Sequence, residues 1–99
     1  MNIRFLSFAD REVEDAVRWY EEQDESLSRL FLDELDRIVR LIRLYPLIAT
    51  QVEPEIHRFL FVHFPYSLIY GIDQETIVVI AVAHQHQEPR YWADRIDKR

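Results

Sequence analysis

Apolar positions in the first part of the chain recur with the period of an α-helix. They predict a helix that ends near Gln23, with Ser7 or Asp10 as its N-cap. The charged residues between the apolar positions, Glu12 among them, are expected to face water. The apolar stripe consists of Ala9, Val13, Ala16, Val17 and Tyr20.

A second apolar stripe follows a break at residues 24–26, which offers an N-cap. It predicts a helix of about five turns that Pro46 ends, with Glu34 and most other charged residues on the opposite side. Because each helix alone would leave its stripe in water, the short connection predicts an antiparallel helix hairpin. The second stripe consists of Leu27, Leu30, Phe31, Leu35, Ile38, Ile42 and Tyr45.

Most of the other predicted elements are β-strands, because apolar residues there alternate or form short β-branched runs. Residues 50–55 are expected to be irregular, and Pro65 interrupts the strand region because proline cannot donate to a central ladder. Residues 73–75 form a hairpin loop between the last two strands. The predicted strands are residues 3–7, 56–63, 67–72 and 76–84.

The last predicted strand, residues 76–84, is apolar on both sides and therefore needs cover on both faces of the sheet. We place it centrally, with the helix hairpin on one face and C-terminal aromatic residues, Trp92 above all, on the other. The prediction is one α+β domain over residues 1–99, in the order β-α-α-β-β-β, with the helix hairpin packed on a small antiparallel sheet. The charged tail from Ala93 onwards is expected to fray.

Eighteen acidic against twelve basic residues give a formal net charge of -6. This sign opposes attachment to phosphate backbones or anionic lipid, so we expect no membrane binding and no direct nucleic-acid binding by the chain alone. The sequence contains no cysteine, which excludes disulfides, thiolate zinc sites and thiol nucleophiles. It shows neither a leader nor a long apolar run, and we expect a cytoplasmic protein.

Three segments carry a family resemblance in combination. Residues 16–21 read AVRWYE, residues 57–70 contain His57-Arg58-Phe59 and an FPY run, and residues 80–92 begin IAVAH and end PRYW. In this order they resemble the RelE/ParE superfamily of bacterial type II toxins over nearly the whole chain. The resemblance implies the RelE/ParE toxin fold and a heteromeric complex with a cognate antitoxin, whose C-terminal segment wraps the helices and sheet of the toxin.

The resemblance implies one of two activities. RelE-like members cleave mRNA in the ribosomal A site, whereas ParE-like members inhibit DNA gyrase without known chemistry of their own. Many relatives read H-x-R-R-x-P where residues 84–89 read HQHQEP, so both arginines are absent and an acid is added. This departure favours a ParE-like inhibitor of DNA gyrase. The alternatives are a RelE-like, ribosome-dependent mRNA endonuclease and a non-toxic module that only binds antitoxins.

The candidate site residues differ between these activities. An endonuclease needs proton-transfer groups and a cation beside the phosphate. In the alternative interpretation, the histidines have a structural role, since a histidine at a strand end usually completes a hydrogen-bond network. For a RelE-like enzyme the catalytic candidates are Arg58, His84, His86 and Tyr91. For a gyrase inhibitor the target-binding candidates are Arg58, Arg90 and Arg95.

Aromatic and basic residues on the two helices are candidates for antitoxin binding, because exposed aromatics mark interfaces. In the alternative interpretation, the tryptophan is a boundary residue and the arginines pair with Asp33 and Asp36 on a solvated face. The antitoxin-binding candidates are Trp19, Tyr20, Arg37 and Arg40.

His57, His84 and His86 raise the question of a three-histidine metal site. No acidic residues that orient such ligands can be placed from the sequence, and the superfamily needs no metal. We predict neither a metal nor a cofactor.

Overall fold

The computed structural model describes residues 1–98, and Arg99 lies outside the described residues. No helix in this range is long and apolar enough to cross a membrane. The elements, in chain order, are β1 (Asn2–Phe5), α1 (Ser7–Gln23), α2 (Glu25–Leu44), β2 (Thr50–Glu53), β3 (Ile56–Leu60), β4 (Tyr66–Asp73), β5 (Thr76–His84) and a C-terminal 3₁₀ helix (Ala93–Lys98).

The strands of the described chain form one five-stranded sheet in the order β1-β5-β4-β3-β2. The pairings from β2 through β5 are antiparallel, as the predicted meander requires. β1 instead pairs in parallel with β5, with Asn2 opposite Thr76 and Phe5 opposite Val79, so the sheet is mixed. The predicted α+β class is confirmed, and the first strand makes the sheet mixed rather than purely antiparallel.

The larger core lies between the helix hairpin and one face of the sheet. Stripe residues of both helices, such as Ala16 and Ile38, are buried there against Leu68 and Val79 of the central strands. This burial confirms most of the two helical stripes, although Leu30 and Tyr45 of the second stripe are exposed.

A smaller core covers the opposite face of the sheet, which we call the outer face. Trp92 is only 6% exposed and packs there with Ile69, Val78 and Ile80. Because β5 is thus covered on both faces, its uninterrupted apolar run over residues 77–83 is explained. The predicted position of Trp92 is confirmed.

Several local predictions are wrong. Thr50–Glu53, expected to be irregular, is the edge strand β2, whose exposed residues carry no alternating pattern. The N-cap of α1 is Leu6, which makes no side-chain capping bond. The described part of the tail, Ala93–Lys98, is a 3₁₀ helix rather than a frayed end, and its Arg95 is bound to Glu12 and to the carbonyl of Ile80.

Glu12 and Glu34 do not face water as predicted. Glu34 is buried and accepts hydrogen bonds from the backbone amides of Val62 and His63. The Glu12 side chain is 18% exposed and is bonded to three other residues. These carboxylates fasten the helices to the end of β3 and to β5.

Candidate functional site

The outer face carries a half-open cavity of about 300 Å³ beside Trp92. Its walls come from β2, β3, β4, the end of β5 and the segment that follows β5. Arg58 belongs to this face because it pairs across the ladder with Ile69, a member of the outer core. Side chains that line the cavity include Arg58, Ser67, His84, Arg90, Tyr91 and Trp92.

Arg58 is an exposed cation in this outer-face cavity. Its guanidinium takes part in no ion pair within residues 1–98. A guanidinium presents several donors in a fixed fork that matches carboxylate and phosphate groups. Arg58 is therefore open to an anionic group of a binding partner.

Arg90 lines the same cavity, but its charge is already paired. Its Nε and Nη2 atoms lie 2.7 and 3.1 Å from the two carboxylate oxygens of Glu53. The hydrogen bonds from Arg90 lower the pKa of Glu53, and the same contacts raise the pKa of Arg90. Arg90 has a φ of 59°, a left-handed conformation that is unfavourable for a non-glycine residue. This pair links β2 to the segment after β5.

His84 and His86 form a local network. The backbone amide of His86 donates to Nδ1 of His84 at 3.1 Å, and the two rings stack with centroids 5.0 Å apart. Because Nδ1 accepts this bond, the proton of a neutral His84 resides on Nε2. Burial, and secondarily the proximity of His86, lowers the pKa of His84. The neutral imidazole is thus favoured.

His57 lies apart from the other two histidines. It is buried, stacks on Tyr70 at 5.2 Å, and its Nδ1 is 3.2 Å from the carbonyl oxygen of Ala49. It pairs with Tyr70 in the ladder, whereas His84 pairs with Tyr66, four residues earlier in β4. The three histidines are not brought together, and no group of three potential metal ligands occurs in the part of the chain that the structure describes.

Tyr91 and Arg95 both bind Glu12. The Tyr91 hydroxyl donates to Oε2 of Glu12 at 2.5 Å, and Arg95 approaches the same carboxylate at 2.9 and 3.1 Å. Burial, with the bond to Glu12, raises the pKa of Tyr91 well above its usual range. The Arg95 side chain is 13% exposed and also donates to the Ile80 carbonyl oxygen at 3.1 Å. Both side chains are therefore engaged within the molecule.

Sequence reasoning missed the role of Glu12, although a signal for it exists. Glu12 follows Ala9 by three residues and precedes Ala16 by four, so it lies on the apolar stripe itself. Glu34 has the same relation to Phe31 and Ile38. A lone carboxylate at a stripe position indicates a buried polar network, because a buried charge needs partners.

The two aromatic candidates on α1 have different surroundings. Trp19 is 58% exposed and borders a cleft with Tyr66 and His84. Tyr20 packs into the core, with its ring 5.7 Å from Phe31 and in edge contact with Phe64. Only Trp19 offers most of its surface to a partner.

Arg37 and Arg40 on α2 are exposed, and each forms an ion pair with an acidic residue of the same helix. Arg40 lies 3.1 Å from Asp36, as the alternative interpretation predicts, whereas Arg37 lies 3.4 Å from Glu34 rather than from Asp33. The Arg40–Asp36 pair is exposed on both sides and contributes little to stability, whereas Arg37 pairs with a buried carboxylate; both guanidinium groups remain accessible to a partner.

An apolar surface that sequence analysis missed lies where α2 ends. It consists of large side chains that are between 51% and 73% exposed. They adjoin β2, whose outer edge has no neighbouring strand in the described sheet. We call this surface the α2-end patch; its members are Leu44, Tyr45, Leu47 and Ile48.

Comparisons with known proteins identify the family. The family model described as ParE toxin of the type II toxin-antitoxin system parDE matches residues 3–89. No curated protein matches the sequence.

Among solved structures, a chain of the chromosomal ParDE TA system from P. aeruginosa resembles this fold, with a TM-score of 0.73. The alignment covers 85% of this chain and 95% of the other, at 9% sequence identity. At this identity the likeness supports the fold alone, and the matched family model supplies the assignment. The chain belongs to the ParE toxin family and is the toxin of a type II toxin-antitoxin system, with a cognate antitoxin as its partner.

Proposed function

We propose that this toxin acts in the bacterial cytoplasm by binding DNA gyrase and blocking it, without a chemical step of its own. The observation that carries the proposal is the state of the outer-face cavity. Arg58 there has no ion-pair partner within residues 1–98, whereas the neighbouring groups suited to proton transfer are engaged within the protein. Such a surface favours recognition of an anionic group on a protein over cleavage of RNA.

The chemistry of RNA cleavage makes the contrast clear. Cleavage through the 2′-hydroxyl needs a base, an acid for the leaving oxygen, and cations beside the phosphate. The Tyr91 hydroxyl donates a hydrogen bond to Glu12, and its raised pKa makes it a poor acid. The second arginine of the cavity, Arg90, is neutralised by Glu53. These features support a toxin that binds its target.

One observation favours the RelE-like alternative. His84 lines the same cavity as Arg58, which places a neutral imidazole beside a guanidinium. Its Nδ1 already accepts from the His86 amide, so proton transfer to His84 would require that bond to break. An mRNA endonuclease would act on the ribosome, and its signature is an immediate stop of translation.

The antitoxin is proposed to dock on α2 and the β2 edge. Arg37, Arg40 and Leu44 share one face of α2, because they are spaced by three and four residues, and this face leads to the α2-end patch. The open backbone groups of β2 beside the patch can pair with an added strand. A partner that combines a basic-face contact, apolar anchors and an extended segment fits this surface. Trp19 lies at the other end of the hairpin and is a separate candidate contact.

A supercoiling assay with purified gyrase tests the proposed target. We expect wild-type toxin to inhibit supercoiling, and Arg58→Ala to need at least about tenfold more protein, as loss of a charged hot-spot contact implies. The matched control is Arg29→Ala, which removes the same charge from an exposed position on α2. Equal potency of all three proteins would remove Arg58 from the target surface, and a wild-type toxin without effect on gyrase would refute the proposal.

A further inference from the structure

One edge of β5 is only partly paired with a neighbouring strand, and side chains form hydrogen bonds to its backbone beyond the paired part. β1 pairs with β5 only from Thr76 to Val79, after which the chain turns into α1. Beyond that point the amide of Val82 donates to Oε1 of Glu12 at 3.0 Å, and the carbonyl of Ile80 accepts from Arg95 at 3.1 Å. A carboxylate and a guanidinium therefore occupy the place of the next residues of a paired strand.

The same carboxylate fixes the C-terminal segment. Glu12 binds the Tyr91 hydroxyl at 2.5 Å and both terminal nitrogens of Arg95 at 2.9 and 3.1 Å. The Arg95 guanidinium also lies 5.0 Å from the ring centres of Tyr91 and Phe8. We call the three residues Glu12, Tyr91 and Arg95 the Glu12 clamp. It ties the segment after β5 to the first helix.

Of the three residues of the Glu12 clamp, Tyr91 alone is among the residues that line the outer-face cavity. Tyr91 and its neighbour Trp92 form a wall of the cavity that also contains Arg58, whereas Glu12 is absent from the cavity lining. Trp92 is held by its burial in the outer core, whereas the Tyr91 hydroxyl is held by Glu12, and the Tyr91 amide donates to the Glu88 carbonyl.

We infer that Glu12 is a positioning residue for toxicity, which holds the Tyr91–Trp92 wall in place against Arg58 and so assembles the surface that meets the target. This inference rests on the proposed role of the outer-face cavity. It assigns Glu12 no contact with the target.

The test compares Glu12→Gln with Glu14→Gln, the same chemical change at an exposed position two residues away. Hydrogen exchange of residues 91–98 reports the clamp, exchange of α2 reports the fold, and growth arrest on induction reports toxicity. In Glu12→Gln we expect at least tenfold faster exchange of residues 91–98, unchanged exchange of α2, and arrest only at a tenfold higher toxin level. We expect Glu14→Gln to match the wild type.

Two results would overturn the inference: unchanged exchange of residues 91–98 in Glu12→Gln, or faster exchange with full toxicity. If Glu12→Gln also loosens α2, Tyr91→Phe replaces it, because this variant removes a single hydroxyl bond and keeps the aromatic ring. In Tyr91→Phe, hydrogen exchange of residues 91–98 must then become faster and toxicity weaker, each by about threefold or more. Full toxicity of this variant would refute the inference. Growth arrest presumes no particular target, so a toxin that arrests growth without inhibiting gyrase contradicts the proposed function and leaves the clamp test valid.

Discussion

Two carboxylates on the helices, Glu12 and Glu34, hold the sheet to the hairpin at the scale of single residues. Glu12 accepts from the amide of Val82, and Glu34 accepts from the amides of Val62 and His63. A carboxylate withdrawn from water is stable only when its oxygens are bonded. Glu12 therefore bonds to an edge of β5 that β1 leaves unpaired, and Glu34 bonds to the segment that follows β3.

Trp92 is predicted to be a large contributor to the stability of the outer core. Trp92→Ala should lower the free energy of unfolding by about 3–5 kcal/mol, because it removes a buried aromatic ring and leaves a cavity. The measurement is urea denaturation. Trp19→Ala is the matched control, since Trp19 is 58% exposed, and its change should stay within about 1 kcal/mol. Equal losses in the two variants would contradict the packing described for Trp92.

His84 is predicted to make stability depend on pH. Its pKa in the folded protein is lowered by burial, so the folded state binds fewer protons than the unfolded state as pH falls below about 6.5. The contribution of neutral His84 is therefore present above that pH and is lost on acidification.

His84→Asn tests this pH dependence, because the Asn oxygen can still accept the bond from the His86 amide. We expect the free energy of unfolding to fall less between pH 7.5 and 5.5 in the variant than in the wild type. Identical decreases in both proteins would show that His84 does not titrate as described.

Residue positions were predictable from the sequence where local spacing determines them. Trp92 and the stripe residues Ala16 and Ile38 are buried as predicted. The Arg90–Glu53 pair joins residues 37 apart in sequence, and local periodicity contains no information about such a contact. Of the cavity, the sequence predicted individual members such as Arg58 and His84 but not which of them are already paired.

At the scale of elements, the hairpin and the last strands form as their apolar periods predict. The Asp24 side chain caps α2 by accepting from the amide of Ser26 at 2.8 Å. The sequence did not predict β2, because an exposed edge strand needs no alternation of apolar and polar residues. Its formation depends on pairing with β3. The parallel register of β1 likewise follows from the crossover through both helices rather than from its own four residues.

The α2-end patch is predicted to be an anchor for the antitoxin. Leu47→Glu should weaken antitoxin binding by at least about tenfold, since it places a charge among apolar contacts that exclude water. Calorimetry with the purified antitoxin measures the change. The control is Leu32→Glu, the same substitution at an exposed position within α2 and outside the patch, with an expected change below about threefold. Similar affinities of the two variants would move the antitoxin interface away from the patch.

At the scale of the whole molecule, the net charge of -6 and the engaged polar groups of the cavity lead to the same conclusion. An acidic chain gains little from general attraction to nucleic acid. We therefore propose that its contacts with partners come from local surfaces, namely Arg58 in the outer-face cavity and the apolar α2-end patch. In this proposal the toxin acts by binding other proteins.

The most direct test of this account is to induce the toxin without its antitoxin and to follow labelled thymidine and amino-acid incorporation over the first minutes. Inhibition of gyrase predicts that thymidine incorporation falls first while translation continues. An immediate collapse of amino-acid incorporation would contradict the account and favour the endonuclease. Undisturbed growth at a verified level of folded protein would contradict both activities. The remaining interpretation would then be a non-toxic module that only binds antitoxins.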